Sequence, residues 1–236
     1  MFGTGTSKLL ISDTVKPIPS DSGILATSYK TGFKAMNVDN SMPPSCVGPA
    51  SVDKNKNTLL HLAVWRNHIG LVERLLDNGG ATGIQICNKY GNTPLHLAAW
   101  SGHTSIVELL LQKGGLVTIR AINERGHTPL HLAASKGHTT VVELLLREGA
   151  PIEATDEKYN TPLHLASRSG YTGTTKLLLQ KFATVQATNT YSHTSLHIAA
   201  YNSHTGVVEL LLGKGALLEA QTSLNLTPLH FAAELV

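Results

Sequence analysis

The chain of 236 residues lacks any long hydrophobic run. The longest apolar segment near the N-terminus is "LLI" at 9–11, which is too short for the core of a signal peptide. No segment approaches the roughly 20 apolar residues that a membrane-spanning helix requires. We therefore expect no membrane insertion.

Cysteine and charge are also scarce. Cys46 and Cys87 are too few for a disulfide framework and lack the spacing of a zinc site, so a reducing compartment, the cytoplasm or the nucleus, is expected. The formal net charge is +3, of which residues 1–56 contribute +2 (six basic, four acidic) and residues 57–236 contribute +1 (thirteen basic, twelve acidic). Neither part has the clustered positive charge that a phosphate backbone requires, so nucleic acid is not an expected partner.

Motifs that carry chemistry are missing as well. The sequence contains no Gly-rich phosphate loop, no nucleophile–base pair and no cluster of metal ligands. We therefore assign no catalytic, cofactor-binding or metal-binding residues, and we expect no cofactor. These absences favour a protein that works by interaction.

The chain divides into two unlike parts. Residues 1–56 hold five of the ten prolines, interspersed with small polar residues, and show no persistent apolar period. Such a composition buries too little apolar surface to offset the entropy of ordering, so we predict a largely disordered tail. Residues 57–236 are repetitive and are predicted to form a single folded domain.

A histidine motif marks the repeats. "TPLHLA" occurs at 93–98, 128–133 and 161–166, and close variants occur at 58–63, 194–199 and 227–232. The successive intervals between the histidines are 35, 35, 33, 33 and 33 residues. A fixed period in this range indicates a solenoid of stacked units. The six histidines are His61, His96, His131, His164, His197 and His230.

One unit, residues 126–150, can be interpreted residue by residue. Thr128 is a good N-cap and Pro129 fits the first turn of a helix, which Gly137 ends in the left-handed conformation. "TTVVELLLREG" then predicts a second helix that is apolar on most sides. The following "APIEATDEKYN" predicts an extended, projecting turn. Each unit is therefore predicted as helix, turn, helix and projecting turn.

The period near 33 and the T-P-L-H-x-A motif resemble the ankyrin repeat. The resemblance covers residues 57–236 and implies an all-α solenoid with projecting β-turns. The units are placed at about 57–91, 92–126, 127–159, 160–192 and 193–225, with a partial unit at 226–236. Two extra residues in each of the segments 79–92 and 114–127 are expected to lie in the projecting turns, where insertions cost little.

The histidines have three possible roles, namely metal ligand, catalytic base and structural element. Equivalent atoms of stacked helices lie about 8–10 Å apart, whereas metal-bound imidazole nitrogens lie about 2.0–2.1 Å from the ion, so neighbouring units cannot share a metal. The ankyrin resemblance implies that each histidine hydrogen-bonds to neighbouring backbone. We therefore expect a structural role.

Two places depart from the pattern. In unit four, Thr174 and Thr175 replace an apolar pair, and Phe182 replaces the capping glycine seen as Gly114, Gly149 and Gly215. We predict that unit four is the least stable. At the end of the chain a sixth first helix has no partner, so Val207, Leu210 and Leu211 are expected to lack cover. We interpret this as a fragment of a longer protein or a truncated gene model; the alternative is a short, frayed end that suffices.

The resemblance also implies where a partner would bind, namely at the projecting tips and the exposed side of the first helices. Residues that the repeat does not dictate mark this surface. Trp65 and Trp100 occupy the same place in adjacent units, where they either bind a partner or fill space between helices. The candidate binding residues are Trp65, Arg66, Lys89, Tyr90, Trp100, Ser101, Arg125, Lys136, Lys158, Arg168, Tyr191 and Tyr201.

The sequence thus predicts a monomeric, non-enzymatic scaffold or adaptor that binds a protein partner through a concave face and the turn tips. The alternative is the targeting arm of a larger kinase, ubiquitin ligase, acyltransferase or channel whose active region lies beyond Val236. The identity of the partner is not encoded in any local motif.

Overall fold

The computed structural model describes residues 52–233, apart from the side chains of residues 78–82 and 116. The predicted tail therefore lies almost entirely outside the described residues. Within 52–233 all regular secondary structure is helical, with eleven α-helices and one short 3-10 helix, as the repeat pattern predicted.

The helices alternate between two roles. The first helices of the units are α1 (Leu59–Trp65), α3 (Pro94–Ser101), α5 (Pro129–Lys136), α7 (Pro162–Ser169), α9 (Ser195–Tyr201) and α11 (Pro228–Ala233). The second helices are α2 (Ile69–Gly79), α4 (Thr104–Ile119), α6 (Thr139–Arg147), α8 (Thr172–Gln180) and α10 (Thr205–Gly213). First helices pack on first helices, and second helices on second helices, which gives two layers of a repeat solenoid.

The core lies between these two layers. In the first helices, pairs such as Ala98 and Ala99 are fully buried, and their small side chains let neighbouring helices approach closely. The second helices contribute one fully buried leucine per unit in four successive units, namely Leu110, Leu145, Leu178 and Leu211. Because every unit buries its apolar faces partly against the next, stability depends on the interfaces between units.

Three first helices end at a left-handed glycine, and the absence of a side chain there leaves space for a ring of the next unit. Gly102, Gly137 and Gly170 have φ between 73° and 76°, and an added Cβ would collide with the ring of His138, Tyr171 or His204. The Nε2 atom of His138 lies 3.0 Å from the carbonyl oxygen of Trp100, and that of His204 lies 2.9 Å from the carbonyl oxygen of Arg168. A missing side chain thus makes room for a ring that binds the preceding unit.

The prediction that the two extra residues in each of the segments 79–92 and 114–127 lie in projecting turns is wrong. They form helical turns instead, because α4 continues to Ile119 through a kink at Gly115 and a 3-10 helix spans Gly80–Gln85 after α2. Burial explains the difference, since Ile84 and Ile119 are 0% and 1% exposed. The positive φ of 59° falls on Gly115 and not on Gly114, so Gly114 is not the left-handed cap.

The expected exposure at the fifth second helix is also wrong in part. Val207 and Leu211 are fully buried, and Leu210 is half-buried. The exposed apolar side chains of this region lie elsewhere, at Leu212, Leu217, Leu218, Leu224 and Leu229. Leu229 is 73% exposed, whereas its equivalents Leu95, Leu130 and Leu163 are at most 1% exposed.

Candidate protein-binding surface

The motif histidines bind two adjacent units to each other. Nδ1 of His96 accepts a hydrogen bond from the backbone N–H of Thr93 at 3.2 Å, so Nε2 carries the proton. That Nε2–H donates to the carbonyl oxygen of His127 in the next unit at 2.9 Å. The same pair of bonds recurs at His61, His131, His164 and His197. The hydrogen bond to neighbouring backbone that the resemblance implied is confirmed.

These rings are held in their neutral form. Burial lowers the pKa of His61, His96, His131 and His164 to about 4, and their hydrogen bonds to backbone carbonyls oppose this shift only in part. A neutral ring is what the acceptor role of Nδ1 requires. Both nitrogens are therefore engaged within the repeat framework.

A ladder of polar side chains fixes the projecting tips. In the tip before α3, Oδ1 of Asn88 accepts hydrogen bonds from the backbone N–H groups of Tyr90 and Asn92, and its Nδ2 donates to Oδ1 of Asn57 at 2.8 Å. Matching side-chain bonds join Asn123 to Asn92 and Asn189 to Asn160. Buried hydrogen-bond networks restrict the groups that they join, so the ladder fixes the backbone of the tips that it connects.

One junction of this ladder differs. Nε2 of His127, just before α5, lies 3.4 Å from Oδ2 of Asp156, in the tip before α7. Burial by itself raises the pKa of Asp156, but hydrogen bonds from His127, Asn160 and two backbone amides outweigh burial and lower the pKa to about 2. Asp156 is therefore a stable anion beneath the tips.

Backbone hydrogen bonds keep neighbouring tips in register. The N–H of Lys89 donates to the carbonyl oxygen of Asn55 at 2.8 Å, and that of Glu124 donates to Tyr90 at 3.1 Å. Equivalent bonds of 3.2 and 3.0 Å join Glu157 to Arg125 and Thr190 to Lys158. Candidate residues Lys89, Tyr90, Arg125, Lys158 and Tyr191 all lie in this row of tips.

Three candidates on the first helices come together. The rings of Trp65 and Trp100 stack with their centroids 5.0 Å apart and their planes at 25°. The ammonium of Lys136 lies 4.8 Å from the centroid of the Trp100 ring. All three side chains are half-buried, so each packs on a neighbour and still presents surface. We call Trp65, Trp100 and Lys136 the tryptophan–lysine cluster.

The other first-helix candidates lie on either side of this cluster. Arg66 is exposed and Ser101 is half-buried. Arg168 is half-buried and interacts electrostatically with Asp156 and Tyr191, which links its helix to the tips. Tyr201 packs edge-on against the buried Phe231, with ring centroids 6.3 Å apart. Arg168 and Tyr201 thus contact residues other than those of the tryptophan–lysine cluster.

Family comparisons agree with this architecture. A family model described as "Ankyrin repeats (3 copies)" matches residues 37–121 and 115–189, and one described as "Ankyrin repeats (many copies)" matches residues 178–232. The chain belongs to the ankyrin-repeat family. No individual curated protein matches the chain. Ankyrin repeats generally mediate protein–protein interactions.

Sequence reasoning missed the tip of the first ankyrin repeat. This tip precedes α1. Oδ1 of Asp53 accepts hydrogen bonds there from the backbone N–H groups of Asn55 and Asn57, both at 2.8 Å, as Asn88 does in the tip before α3. Residues 53–56 had been placed with the tail. The available signal was an acidic or amide residue 35 positions before Asn88, which is the same interval as between the histidines.

Neither a group of metal ligands nor a membrane-spanning helix is found among the described residues. Between residues 52 and 233, no three His, Cys, Asp or Glu side chains are grouped as metal ligands would be. In the same range, none of the helices has the length and apolar character to cross a membrane. Cys87 is exposed and has no disulfide partner among the described residues.

Proposed function

We propose that this ankyrin domain is a non-catalytic scaffold or adaptor that binds a protein partner through its first helices and tips. The observation that supports the proposal best is the tryptophan–lysine cluster. The frame residues around it, from the motif threonines to the histidines, are buried and hydrogen-bonded within the repeats. The aromatic and basic side chains of the cluster are half-buried, so part of each faces the surface.

The cluster has the properties of a binding hot spot. Tryptophan contributes disproportionately to protein interfaces, since its side chain buries a large area with only two rotatable bonds. Trp65 and Trp100 are already restrained by their stacking at 5.0 Å, so a partner would lose little further side-chain entropy on binding them. The proposal assigns the candidate tip residues to the rim of the same interface and takes the chain as a monomer.

Trp100→Ala tests the proposal. If Trp100 is a hot spot, the substitution weakens partner binding by about 2 kcal/mol, or roughly 30-fold, while the fold is kept. Proteins captured by the wild-type chain would be identified by quantitative mass spectrometry and compared with those captured by the variant. Circular dichroism and thermal unfolding report on the fold.

Lys176→Ala is the matched control, because Lys176 is exposed on the second helix of unit four. It should change neither the captured proteins nor the stability. If Trp100→Ala causes a large fall in Tm, or if the captured proteins are unchanged, the tryptophans serve packing and the proposal fails.

A further inference from the structure

Charge is divided unequally between the two sides of the ankyrin array. We define the first-helix side as the first helices with the tips, and the second-helix side as the second helices with the segments that follow them. Among residues 52–233 the first-helix side carries eight basic residues against four acidic ones, whereas the second-helix side carries seven against eight. The net charge of +3 over these residues is thus the sum of +4 on the first-helix side and −1 on the second-helix side.

The acidic residues of the first-helix side reduce this excess only in part. Asp53 and Asp156 accept hydrogen bonds from their own turns, and Asp156 also interacts with Arg168. Only Glu124 and Glu157 are exposed acids on this side. The basic residues are Lys54, Lys56, Arg66, Lys89, Arg125, Lys136, Lys158 and Arg168.

The basic residues follow the repeat. Each of the first four tips carries at least one, whereas the two tips that follow, at Thr190–Tyr191 and Ser223–Leu224, carry none. The first helices add three more, of which Lys136 lies on Trp100 and Arg168 lies near Tyr191. The positive row therefore begins at the first unit and ends at the fourth.

The spacing of this row suits an extended chain. Neighbouring helices pack about 8–10 Å apart, so equivalent side chains of adjacent units recur at that interval. An extended segment in the polyproline II conformation advances about 3.1 Å per residue with three residues per turn, so every third side chain lies on the same face at intervals of about 9 Å. One carboxylate in every three residues would meet one basic residue per unit.

The cations of the first helices are partly removed from water. Burial lowers the pKa of the Lys136 ammonium, which lies on the face of the Trp100 ring. A partly desolvated cation gains more from a nearby carboxylate than a fully hydrated one, because the effective dielectric is lower. The same holds for Arg168, whose pKa burial also lowers.

We infer that the partner presents an extended acidic segment, with a carboxylate at about every third residue, to the first-helix side of units one to four. This inference rests on the proposed function and specifies the chemistry of its partner. A protein segment fits better than a nucleic acid. Glu124 and Glu157 stand beside Arg125 and Lys158 at the tips, where a continuous phosphate backbone would be repelled.

The test is a selection from a library of random dodecapeptides on the immobilised full chain. Selected peptides are then measured by fluorescence anisotropy on two matched variants. Lys89→Glu/Lys136→Glu/Lys158→Glu reverses three charges on the first-helix side. Lys176→Glu/Lys181→Glu/Lys214→Glu reverses three exposed charges on the second-helix side. Trp100→Ala serves as a third variant, and duplex DNA is added as a competitor.

The expected result is enrichment of Asp and Glu at intervals of three residues. Binding should weaken about tenfold on the first variant, change less than about twofold on the second, and fall as salt is raised. Selected peptides that are not acidic but lose affinity on Trp100→Ala would overturn the inference and leave the proposed function standing. Acidic peptides that bind all three variants alike would overturn both. Duplex DNA that displaces the peptides would overturn the inference in favour of nucleic acid.

Discussion

At the scale of single residues, Phe182 has a strained backbone conformation, and its exposed side chain gains no packing that would offset the strain. It has a φ of 66° and its side chain is 91% exposed, whereas Gly149 and Gly215 hold the same place in the flanking units. A left-handed conformation costs a bulky L-residue about 1–2 kcal/mol, and glycine loses about 0.5–1 kcal/mol more entropy on folding. We expect Phe182→Gly to raise the free energy of unfolding by about 0.5–1 kcal/mol.

Urea unfolding followed by circular dichroism measures this change. Gly149→Ala is the matched control, since Gly149 has a φ of 87°, and it should lower the free energy of unfolding. A decrease for Phe182→Gly would show that the side chain contributes contacts that outweigh the strain.

A second residue-scale prediction concerns two adjacent threonines. Both Thr174 and Thr175 are buried, but only Thr174 has a hydroxyl partner, at 2.8 Å from Oγ1 of Thr139. The hydroxyl of Thr175 has no hydrogen-bond partner among the described residues. Thr175→Val should therefore stabilise the domain by about 1 kcal/mol, because it removes a buried, unpaired hydroxyl at nearly constant volume.

Thr174→Val is the control for that measurement, because it removes a hydrogen bond that exists. Its free energy of unfolding should stay level or fall when both variants are compared by urea unfolding. Equal stabilisation by the two substitutions would mean that the hydrogen bond to Thr139 contributes nothing.

At the scale of elements, unit four combines several such defects. Besides Phe182 and Thr175, it contains Ser167, whose buried hydroxyl also has no partner among the described residues. We expect the amides of α8 to exchange with solvent faster than those of α6, because these defects lower the free energy of local opening in unit four. Hydrogen exchange measured by mass spectrometry on the wild-type chain checks this. Equal protection of α6 and α8 would contradict it.

The elements also show which features of the fold the sequence predicts. Helix starts were readable because Thr93 and Pro94 act locally, through a capping hydroxyl and a fixed φ. The extended α4 was not readable, since it depends on burial of Ile84 and Ile119 between units. The Gly114-Gly115 pair is a local signal for a helix end, and it therefore predicts the wrong boundary. Features that depend on packing between units could therefore not be predicted from the sequence, whereas features that depend on residues within one unit could be.

At the scale of the whole molecule, the candidate surface could be located but not interpreted from sequence. The repeat shows which positions vary, so Trp65 and Trp100 were found as outliers. Their stacking at 5.0 Å depends on the distance between units, which no local pattern encodes. The one-sided charge was hidden for the same reason, because basic and acidic residues alternate along the chain and separate only when the units stack.

The repeated histidines predict how the whole array responds to acid. An unfolded histidine has a pKa near 6.5, whereas burial lowers the pKa of His61, His96, His131 and His164 to about 4 in the folded state. Between these two values the unfolded chain binds more protons than the folded one, so falling pH favours unfolding. Each histidine that stays neutral contributes a slope of about 1.4 kcal/mol per pH unit.

Stability should therefore be highest above about pH 7 and fall steeply from about pH 6.5 towards pH 4. Asp156, with its pKa of about 2, contributes stability that is lost only at still lower pH, so its effect is separable. Urea unfolding across this range measures the slope. His131→Gln should be less stable at neutral pH, because it removes the bond to the carbonyl oxygen of Asn160, and its slope should be smaller by one proton. If the slope is unchanged in His131→Gln, or if the wild-type domain is equally stable at pH 7 and pH 5, the histidines titrate normally in the folded state.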